Sequence, residues 1–492
     1  MPSQSRKENA WEQVERRLPE VYLALALVLT LLLCWMTPPF FAPDEADHMA
    51  REISLTRGHL IERESPAGAG DDIDDGVVHV ADMMENMRVP WEKRARDPLD
   101  RSYGPVTDSL QLRQVSGRWS GHTIFETFDN TAVYPPLLYL PAMAGWKIGE
   151  AAGWTVFASL HLARILCALC AVGLGWLALR FCVGIRWVLL AGLLLPSVLY
   201  LNATCSQDAP IPGLAALAVA MLSRALVGKR GFTRAELTVA AIALGLISLA
   251  RPPYAAMALM VFLPAVELRD GWRRWIAPSV AFAAAAAATA FWWHLVSGLA
   301  IATNDFGDVD EQRIFLHAHP LAGAIAVLRG TAYAGYDFLH RGLYVIGLND
   351  LLPHHGAAAV LTICLLGIVV AARGPVVESW RGRALLAVCV AAPLVGVTLA
   401  EYLIWSPPGG ATVMGVMPRY WQAAMPLGIL LLQSCLPWRS RLLAVMPRET
   451  MMYVGVVMML VACTLPWMVA HAYYREGAWH VLMLNLGYLT AR

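Results

Sequence analysis

The sequence predicts an all-α membrane protein that crosses the bilayer many times. Hydrophobic residues make up 57% of the 492 residues and charged residues only 15%, whereas soluble domains carry about a quarter charged residues. Eleven apolar runs recur along the chain, most of them long enough to span about 30 Å of hydrocarbon. Basic residues concentrate in alternate connections, and no basic stripe interleaved with aromatic residues indicates nucleic acid. The lipid bilayer is therefore the partner that the composition implies.

The charges between the apolar runs predict a topology. The runs lie at about 20–37, 156–181, 186–204, 208–227, 235–250, 254–268, 275–297, 356–373, 384–405, 420–437 and 451–472. Arg6, Lys7, Arg16 and Arg17 precede the first run, which predicts a cytoplasmic N-terminus. Later connections on the same side are rich in Arg and Lys, whereas the opposite short connections carry only Arg251 and Arg419. We therefore expect the C-terminus outside.

These boundaries predict one membrane domain over residues 1–492. Its parts are a cytoplasmic tail 1–19, a first outer loop 38–154, spans two to seven in 155–297, a second outer segment 298–355, spans eight to eleven in 356–472 and an outer tail 473–492. Residues 133–150 contain three prolines, and we expect them to form juxtamembrane helices at the membrane interface.

The stretch 38–59 is the densest cluster of ionisable groups beside a predicted span. Asp44, Glu45, Asp47 and His48 lie within five positions, just beyond the outer end of the first run. Pro43 is suited to the first turn of a short helix, which would place Asp44 and Glu45 at its positive end. Asp44 and Glu45 would then share a face with His48. This pattern indicates an acid/base or cation site, or alternatively a capped helix with solvated charges.

The second acidic cluster is GAGDDIDDG, residues 68–76. Its alternating carboxylates are similar to a calcium loop but lack the bidentate Glu at the required distance. We therefore expect Asp71, Asp72, Asp74 and Asp75 to lie in a solvated surface loop.

Taken together, four motifs resemble the GT-C superfamily of membrane glycosyltransferases. They are APDEADH at 42–48, YPPLLYLPAMAGWKIG at 134–149 followed by Arg164, NATCSQDAP at 202–210 with Asp208, and ARPPY at 250–254 with Arg251. PDExxH at 43–48, IGLNDLLP at 346–353 and MPRYWQAAMP at 417–426 also resemble one bacterial family of multi-spanning proteins of unknown function. The resemblance implies a GT-C-like bundle of about eleven transmembrane helices in the bacterial inner membrane, with a large periplasmic first loop.

The resemblance also implies a reaction. GT-C enzymes move a sugar from a polyprenyl-phosphate carrier to an acceptor, here a cell-envelope glycan, lipid or protein on the periplasmic face. The general base falls on the acidic residue of the first outer loop, which is Asp44, with Glu45 next and His48 beside them. Some members use a divalent cation, so Mg²⁺ or Mn²⁺ held by Asp44 and Glu45 stays open, with His48 and Asp208 as further ligands.

The leaving phosphate requires fixed positive charge. The candidates are Arg251, Arg419, Arg164 and Lys147, and the first two stand alone in otherwise uncharged outer connections. Arg251 could instead form a structural ion pair with Asp208. Tyr134, Asp208 and Tyr420 complete the candidate substrate-binding residues.

Two other functions fit the same features. A flippase of lipid-linked glycans would use the same cavity and arginines, although alternating access favours a site near the midplane. A polysaccharide polymerase or ligase would rely on the later outer segment, where Arg313, His317 and His319 lie. The sequence leaves the sugar, the acceptor, the carrier length and the oligomeric state open.

Overall fold

The computed structural model describes residues 2–86, 117–268, 271–299, 301, 303–304, 307–344, 346, 355–436, 438–439, 442–443 and 449–474. This part of the chain is mostly helical, as the sequence predicts. The helices are α1 Pro2–Met36, α2 Glu45–Thr56, α3 Asp75–Asn86, α4 Asp129–Ala132, α5 Leu140–Ala151, α6 Val156–Phe181, α7 Arg186–Leu193, α8 Pro196–Asn202, α9 Ile211–Val227, α10 Arg234–Ala250, α11 Leu263–Leu268, α12 Arg273–Leu295, α13 Val309–Ala318, α14 Pro320–Asp337, α15 His355–Ala371, α16 Trp380–Ile404, α17 Arg419–Gln422, α18 Met425–Cys435, α19 Thr450–Cys463 and α20 Leu465–Tyr473. Tighter 3₁₀ turns occupy Pro136–Tyr139, Pro252–Phe262 and Ser297–Leu299.

Five helical segments are long and apolar enough to cross a membrane. They are Trp11–Met36, Val156–Phe181, Arg273–Leu295, Trp380–Ile404 and Thr450–Tyr473. The other six predicted spans fall on shorter helices, so the count of eleven is not confirmed. The run at 186–204, for example, divides into α7 and α8 because Leu195 precedes Pro196 and leaves the helical conformation, with ψ at 132°.

The centre of the bundle is formed by α6, which packs against α1, α5 and α9. Thr155 begins α6 by accepting a hydrogen bond from the Ala158 N–H at 3.2 Å. Close approach to α5 depends on glycine: a Cβ added at Gly145 would lie 2.4 Å from the Ala163 Cα atom. Gly145 and Gly149 are one turn apart, the spacing that lets apolar helices pack closely. This contact fixes the juxtamembrane segment on the bundle.

Residues 133–150 contain the turn Pro136–Tyr139 and the helix α5, and their position at the membrane interface stays a prediction. Within residues 298–355, α14 continues into a single π turn over Phe338–Gly342. Most of the IGLNDLLP motif, residues 347–353, lies outside the described residues.

Residues 38–154, the predicted first outer loop, contain a small sheet that the sequence pattern does not predict. Strands β1 Arg63–Ser65, β2 Gly68–Asp74 and β3 Thr123–Thr127 form an antiparallel sheet in the order β1-β2-β3, and β4 Thr303–Asn304 pairs with β5 Gly307–Asp308 in a short second hairpin.

The predicted solvated loop at 68–76 is therefore wrong, because most of it is the central strand β2. Asp71 and Asp74 are buried. The Ser54 hydroxyl donates to Asp71 at 2.8 Å, and the backbone N–H groups of Ser120 and Gly121 donate to Asp74 at 3.0 and 2.9 Å. These carboxylates thus hold loop segments together rather than face solvent.

The helix α2 begins at Glu45, two residues later than predicted from Pro43. Asp44 takes a left-handed conformation, with φ 53° and ψ 22°, which excludes it from a right-handed helix. Its side chain does not cap α2. Because Asp44 lies outside the helix and Glu45 is its first residue, their carboxylates point toward different partners.

Candidate functional site

The site is built around Asp208, which lies in the turn between α8 and α9. The Arg251 guanidinium donates to its carboxylate from Nε to Oδ1 at 3.1 Å and from Nη2 to Oδ2 at 2.7 Å. Arg419 approaches from the other side, with its Nε 3.1 Å from Asp208 Oδ2. A single buried carboxylate thus orients two arginines that come from connections 168 positions apart in the chain.

Asp44 completes a chain of alternating charges. The Arg419 Nη2 group donates to Asp44 Oδ2 at 2.6 Å, so the order is Asp44, Arg419, Asp208, Arg251. Burial acts to raise the pKa of Asp44, but Arg419 and His48 outweigh it and the pKa is lowered. Burial likewise opposes ionisation of Asp208, whereas Arg251 and Arg419 lower its pKa to about 2. Both carboxylates are therefore ionised at neutral pH.

Two tyrosines cover the arginines. The Tyr420 ring centroid lies 4.3 Å from Arg251 Cζ and 5.3 Å from Arg419 Cζ, and the Tyr134 ring lies 5.8 Å from Arg251 Cζ. Both distances to Tyr420 are within the range of cation–π attraction. The Tyr254 hydroxyl donates to the Tyr420 carbonyl at 2.8 Å, which fixes this residue at the start of α17.

These residues open onto a cavity of about 440 Å³, within the range of small-molecule sites. Six of the ten predicted site residues line it: Asp44, His48, Tyr134, Arg251, Arg419 and Tyr420. The remaining walls are mainly apolar, with Trp293, Ile404 and Trp405 among them. Asp208 lies behind the arginines as their shared counter-charge. The structure thus brings together residues from five separate parts of the sequence.

His48 borders the cavity but is buried, with both ring nitrogens engaged. Its Nδ1 is hydrogen-bonded to the Tyr139 hydroxyl at 2.5 Å and its Nε2 to the Ser206 hydroxyl at 3.1 Å. Ser206 in turn accepts from the Asp208 backbone N–H at 3.1 Å. Burial lowers the pKa of His48 to about 4, against the effect of Asp208, so the ring is neutral at pH 7. This geometry suits a residue that positions the Asp208 turn.

Glu45 and Arg164 form a separate ion pair inside the bundle. Both side chains have no exposed surface, and the Arg164 Nε group donates to Glu45 Oε1 at 2.8 Å. Arg164 also donates to the carbonyls of Thr37 and Pro38 at 2.7 and 3.0 Å, so its guanidinium N–H groups are hydrogen-bonded within the protein. Neither residue lines the cavity. The structure thus does not bring Glu45 together with Asp44 and His48 as the sequence pattern suggested, nor Arg164 with Arg251.

Lys147 is also remote from the cavity. Its side chain is 61% exposed on α5, where it lies 3.7 Å from Glu150. Arg313 is likewise an exposed residue that pairs with Asp310 at 3.0 Å, and His319 packs against Phe315 in α13. None of these residues lines the cavity that contains Asp44.

The residues present do not fit the divalent cation that the sequence left open. Asp44 is bound to Arg419 and Glu45 to Arg164, so the two carboxylates face different partners. Within the described ranges, no group of three or more His, Cys, Asp and Glu side chains is placed to hold a metal ion.

The sequence analysis missed several residues of the cavity. Glu401 lines it from α16, Trp293 from α12, and Asp129 and Asn130 from α4. A signal for Glu401 was present, because it is the one acidic residue inside the apolar run 384–405 and intramembrane carboxylates indicate function. Asn130 also contacts Asp47, since its side-chain amide donates to Asp47 Oδ2 at 2.9 Å. Burial, together with the nearby Asp44 charge, raises the pKa of Asp47 to about 7.

Fold and site together define a multi-helical membrane protein with a polar, arginine-containing cavity beside its first loop. The chain belongs to the family described as "Predicted membrane protein (DUF2142)", which matches residues 27–427. This match confirms the prediction of a membrane family of unknown function, whereas the relation to the GT-C superfamily stays a prediction. Comparisons with curated proteins and with solved structures find no match.

Proposed function

We propose that the protein is a membrane glycosyltransferase that moves a sugar from a polyprenyl-phosphate carrier to a cell-envelope acceptor. The single observation that carries this proposal is the Asp44–Arg419–Asp208–Arg251 chain in a cavity bordered by apolar residues. It combines two arginines that can bind a phosphate with an ionised carboxylate that lines the cavity, Asp44, and these are the groups that such a transfer requires. The apolar wall suits the lipid part of the donor.

Arg251 and Arg419 would hold the phosphate. Asp208 engages Nε and Nη2 of Arg251, and in the part of the chain that the structure describes neither arginine Nη1 group has a protein acceptor. Each arginine can therefore donate to a phosphate oxygen without leaving Asp208. The two side chains are only 11% and 10% exposed, so their charges act in a site with little water.

Asp44 would act as general base. It takes the proton from the acceptor hydroxyl as that oxygen bonds to the anomeric carbon, and the bond from this carbon to the phosphate oxygen breaks. The polyprenyl phosphate leaves with the electron pair, bound by Arg251 and Arg419, and the anomeric configuration inverts. Donor phosphate also competes for Arg419, which weakens the Arg419–Asp44 contact and makes Asp44 more basic when the donor is bound.

Other candidates take supporting roles in this scheme. His48 positions Ser206 and the Asp208 turn. Glu45 and Arg164 stabilise the packing of α2 against α6. The left-handed backbone of Asp44 costs about 1–3 kcal/mol, and such strain concentrates at functional sites. No step requires Lys147.

The proposal is tested by transfer of radiolabelled sugar from polyprenyl-phosphate donors to envelope acceptors in membranes that contain the protein. We expect Asp44→Asn to lower transfer by about 100-fold or more, the scale of general-base catalysis, and Arg251→Gln to lower it strongly. Asp310→Asn is the matched control, because Asp310 is 80% exposed and remote from the cavity.

The other outcomes discriminate between functions. Full transfer by Asp44→Asn would remove Asp44 from catalysis. Loss of transfer in Arg313→Ala, with Arg251→Gln active, would instead favour a site in the second outer segment. Movement of the lipid-linked sugar across the bilayer without transfer would favour the flippase.

A further inference from the structure

One face of α16 forms a wall of the cavity that the proposed chemistry does not use. Val397, Ala400, Glu401, Ile404 and Trp405 all line the cavity, and their spacing places them on a single helical stripe. Four of the five are apolar or aromatic. Glu401 is the only acidic member, so this wall differs in chemistry from the wall that contains Asp44, Arg251 and Arg419.

Glu401 differs from the other acidic residues of the site in its partners. It makes no ion pair with any residue in the ranges that the structure describes, unlike Asp44, Asp208 and Glu45. Tyr420 is the hydrogen-bonding partner of its carboxylate. A carboxylate at the end of an apolar helix is costly and marks a substrate or ion pathway in membrane proteins. The cavity in front of it therefore requires an occupant with hydroxyl or other donor groups.

The backbone opposite α16 leaves room for this carboxylate. Gly415 has φ +82°, and a Cβ added there would lie 2.6 Å from Glu401 Oε2. Only glycine takes this conformation readily, so the loop that returns to Arg419 passes directly beside the Glu401 side chain. The position of the carboxylate is therefore tied to the same segment that carries the phosphate-binding Arg419.

Aromatic rings also line the cavity. Trp293 lines it, and its indole N–H is already used in a 3.1 Å hydrogen bond to the Leu249 carbonyl, which leaves the ring face for contact. Trp405 lies one turn after Glu401 on the same stripe. A carboxylate that accepts from hydroxyls, combined with aromatic faces that pack against C–H groups, is the combination that binds a sugar ring.

We propose that Glu401, Trp293 and Trp405 form the subsite for the sugar of the donor. This inference rests on the proposed function. The phosphate lies at Arg251 and Arg419, and Glu401 accepts hydrogen bonds from the sugar hydroxyls.

The test is equilibrium binding of radiolabelled polyprenyl phosphate, with and without a linked neutral hexose, to the purified full-length protein in nanodiscs. Hydrogen bonds from the sugar hydroxyls to Glu401 predict that the hexose-linked carrier binds about tenfold more tightly than the bare carrier. In Glu401→Gln this preference falls to within about twofold, while affinity for the bare carrier is unchanged.

Two further variants complete the design. Ala400→Leu fills the same end of the cavity without changing charge and should also abolish the hexose preference, so the test does not depend on the folding of one variant. Glu311→Gln is the matched control, because Glu311 is exposed at the start of α13. It should keep the preference.

The failures of the two proposals are distinguishable. A Glu401→Gln protein that keeps the hexose preference, or one that loses bare-carrier affinity as well, overturns the sugar subsite and leaves the phosphate site standing. If the wild type binds neither carrier and Arg251→Gln changes nothing, the proposed function falls and the subsite falls with it.

Discussion

Replacing Asp208 with asparagine tests whether this carboxylate holds the two arginines in place. The side chain is only 5% exposed, and Arg251 and Arg419 lower its pKa from the ordinary 3.8 to about 2. At about 1.4 kcal/mol per pKa unit, the ionised group contributes about 2.5 kcal/mol to stability at pH 7. Asp208→Asn also leaves the buried Arg251 without its counter-charge, whereas Arg419 keeps Asp44, and breaking a buried pair costs about 3–5 kcal/mol. We expect a loss of about 2–5 kcal/mol.

The loss can be measured by unfolding of the detergent-purified protein as a function of pH. Because the folded pKa of Asp208 is depressed, its contribution is present above the unfolded value of 3.8 and is lost as the pH falls toward about 2. The stabilities of wild type and variant should therefore converge over that interval. Asp310→Asn, at an exposed position, should stay within about 0.5 kcal/mol of wild type. An Asp208→Asn protein as stable as wild type at pH 7 would refute the reasoning.

Three further predictions follow from buried groups around the cavity. Arg164→Leu should destabilise the protein by about 3–5 kcal/mol because it leaves the buried Glu45 carboxylate without its cation. The double variant with Glu45→Leu should recover most of that stability in the same unfolding assay. Folding raises the pKa of Asp47 to about 7, so the wild type should lose stability relative to Asp47→Asn as the pH rises from about 4 to about 7. A difference in melting temperature between the two proteins that stays constant over this pH range would contradict the prediction. Gly415→Ala should displace the Glu401 carboxylate and strain the loop by about 1–3 kcal/mol, and we expect lower affinity for a sugar-linked carrier. Unchanged affinity would show that the loop backbone shifts while Glu401 stays in place.

Charge placement explains why part of the site was predictable from the sequence. Arg251 and Arg419 stand alone in otherwise uncharged connections, and Asp44 follows an apolar run directly. Such positions are energetically costly, so they indicated function before any geometry was known. The predicted alternative of an ion pair between Arg251 and Asp208 is also present, and in the structure it orients the arginine within the cavity wall.

Spacing along the sequence did not predict the partners of residues that are adjacent in the chain but point in different directions. Asp44 and Glu45 are adjacent, yet the left-handed backbone at Asp44 sends one carboxylate to Arg419 and the other to Arg164. The acidic strand containing Asp71 was misread because its hydrogen-bond donors come from α2 and a distant loop, which no local pattern reveals.

The lengths of the helices explain why the number of membrane spans does not follow from the apolar runs. Apolar runs predict helices, but whether one helix continues depends on single backbone positions such as Leu195 before Pro196. Helices such as α9 and α10 have 17 residues, at the lower bound for crossing the hydrocarbon core. Composition alone therefore identified the membrane class but not the number of crossings.

The central claim is that the cavity binds a phosphate-linked lipid sugar, and photo-crosslinking tests it most directly. A sugar-linked polyprenyl phosphate with a diazirine beside the phosphate would be crosslinked to the full-length protein in membranes, and the labelled peptides identified by mass spectrometry. We expect crosslinks to peptides that contain Tyr134, Arg251 or Tyr420, and we expect them to be competed by unlabelled donor and lost in Arg251→Gln. Crosslinks confined to other helices, unaffected by competitor, would contradict it.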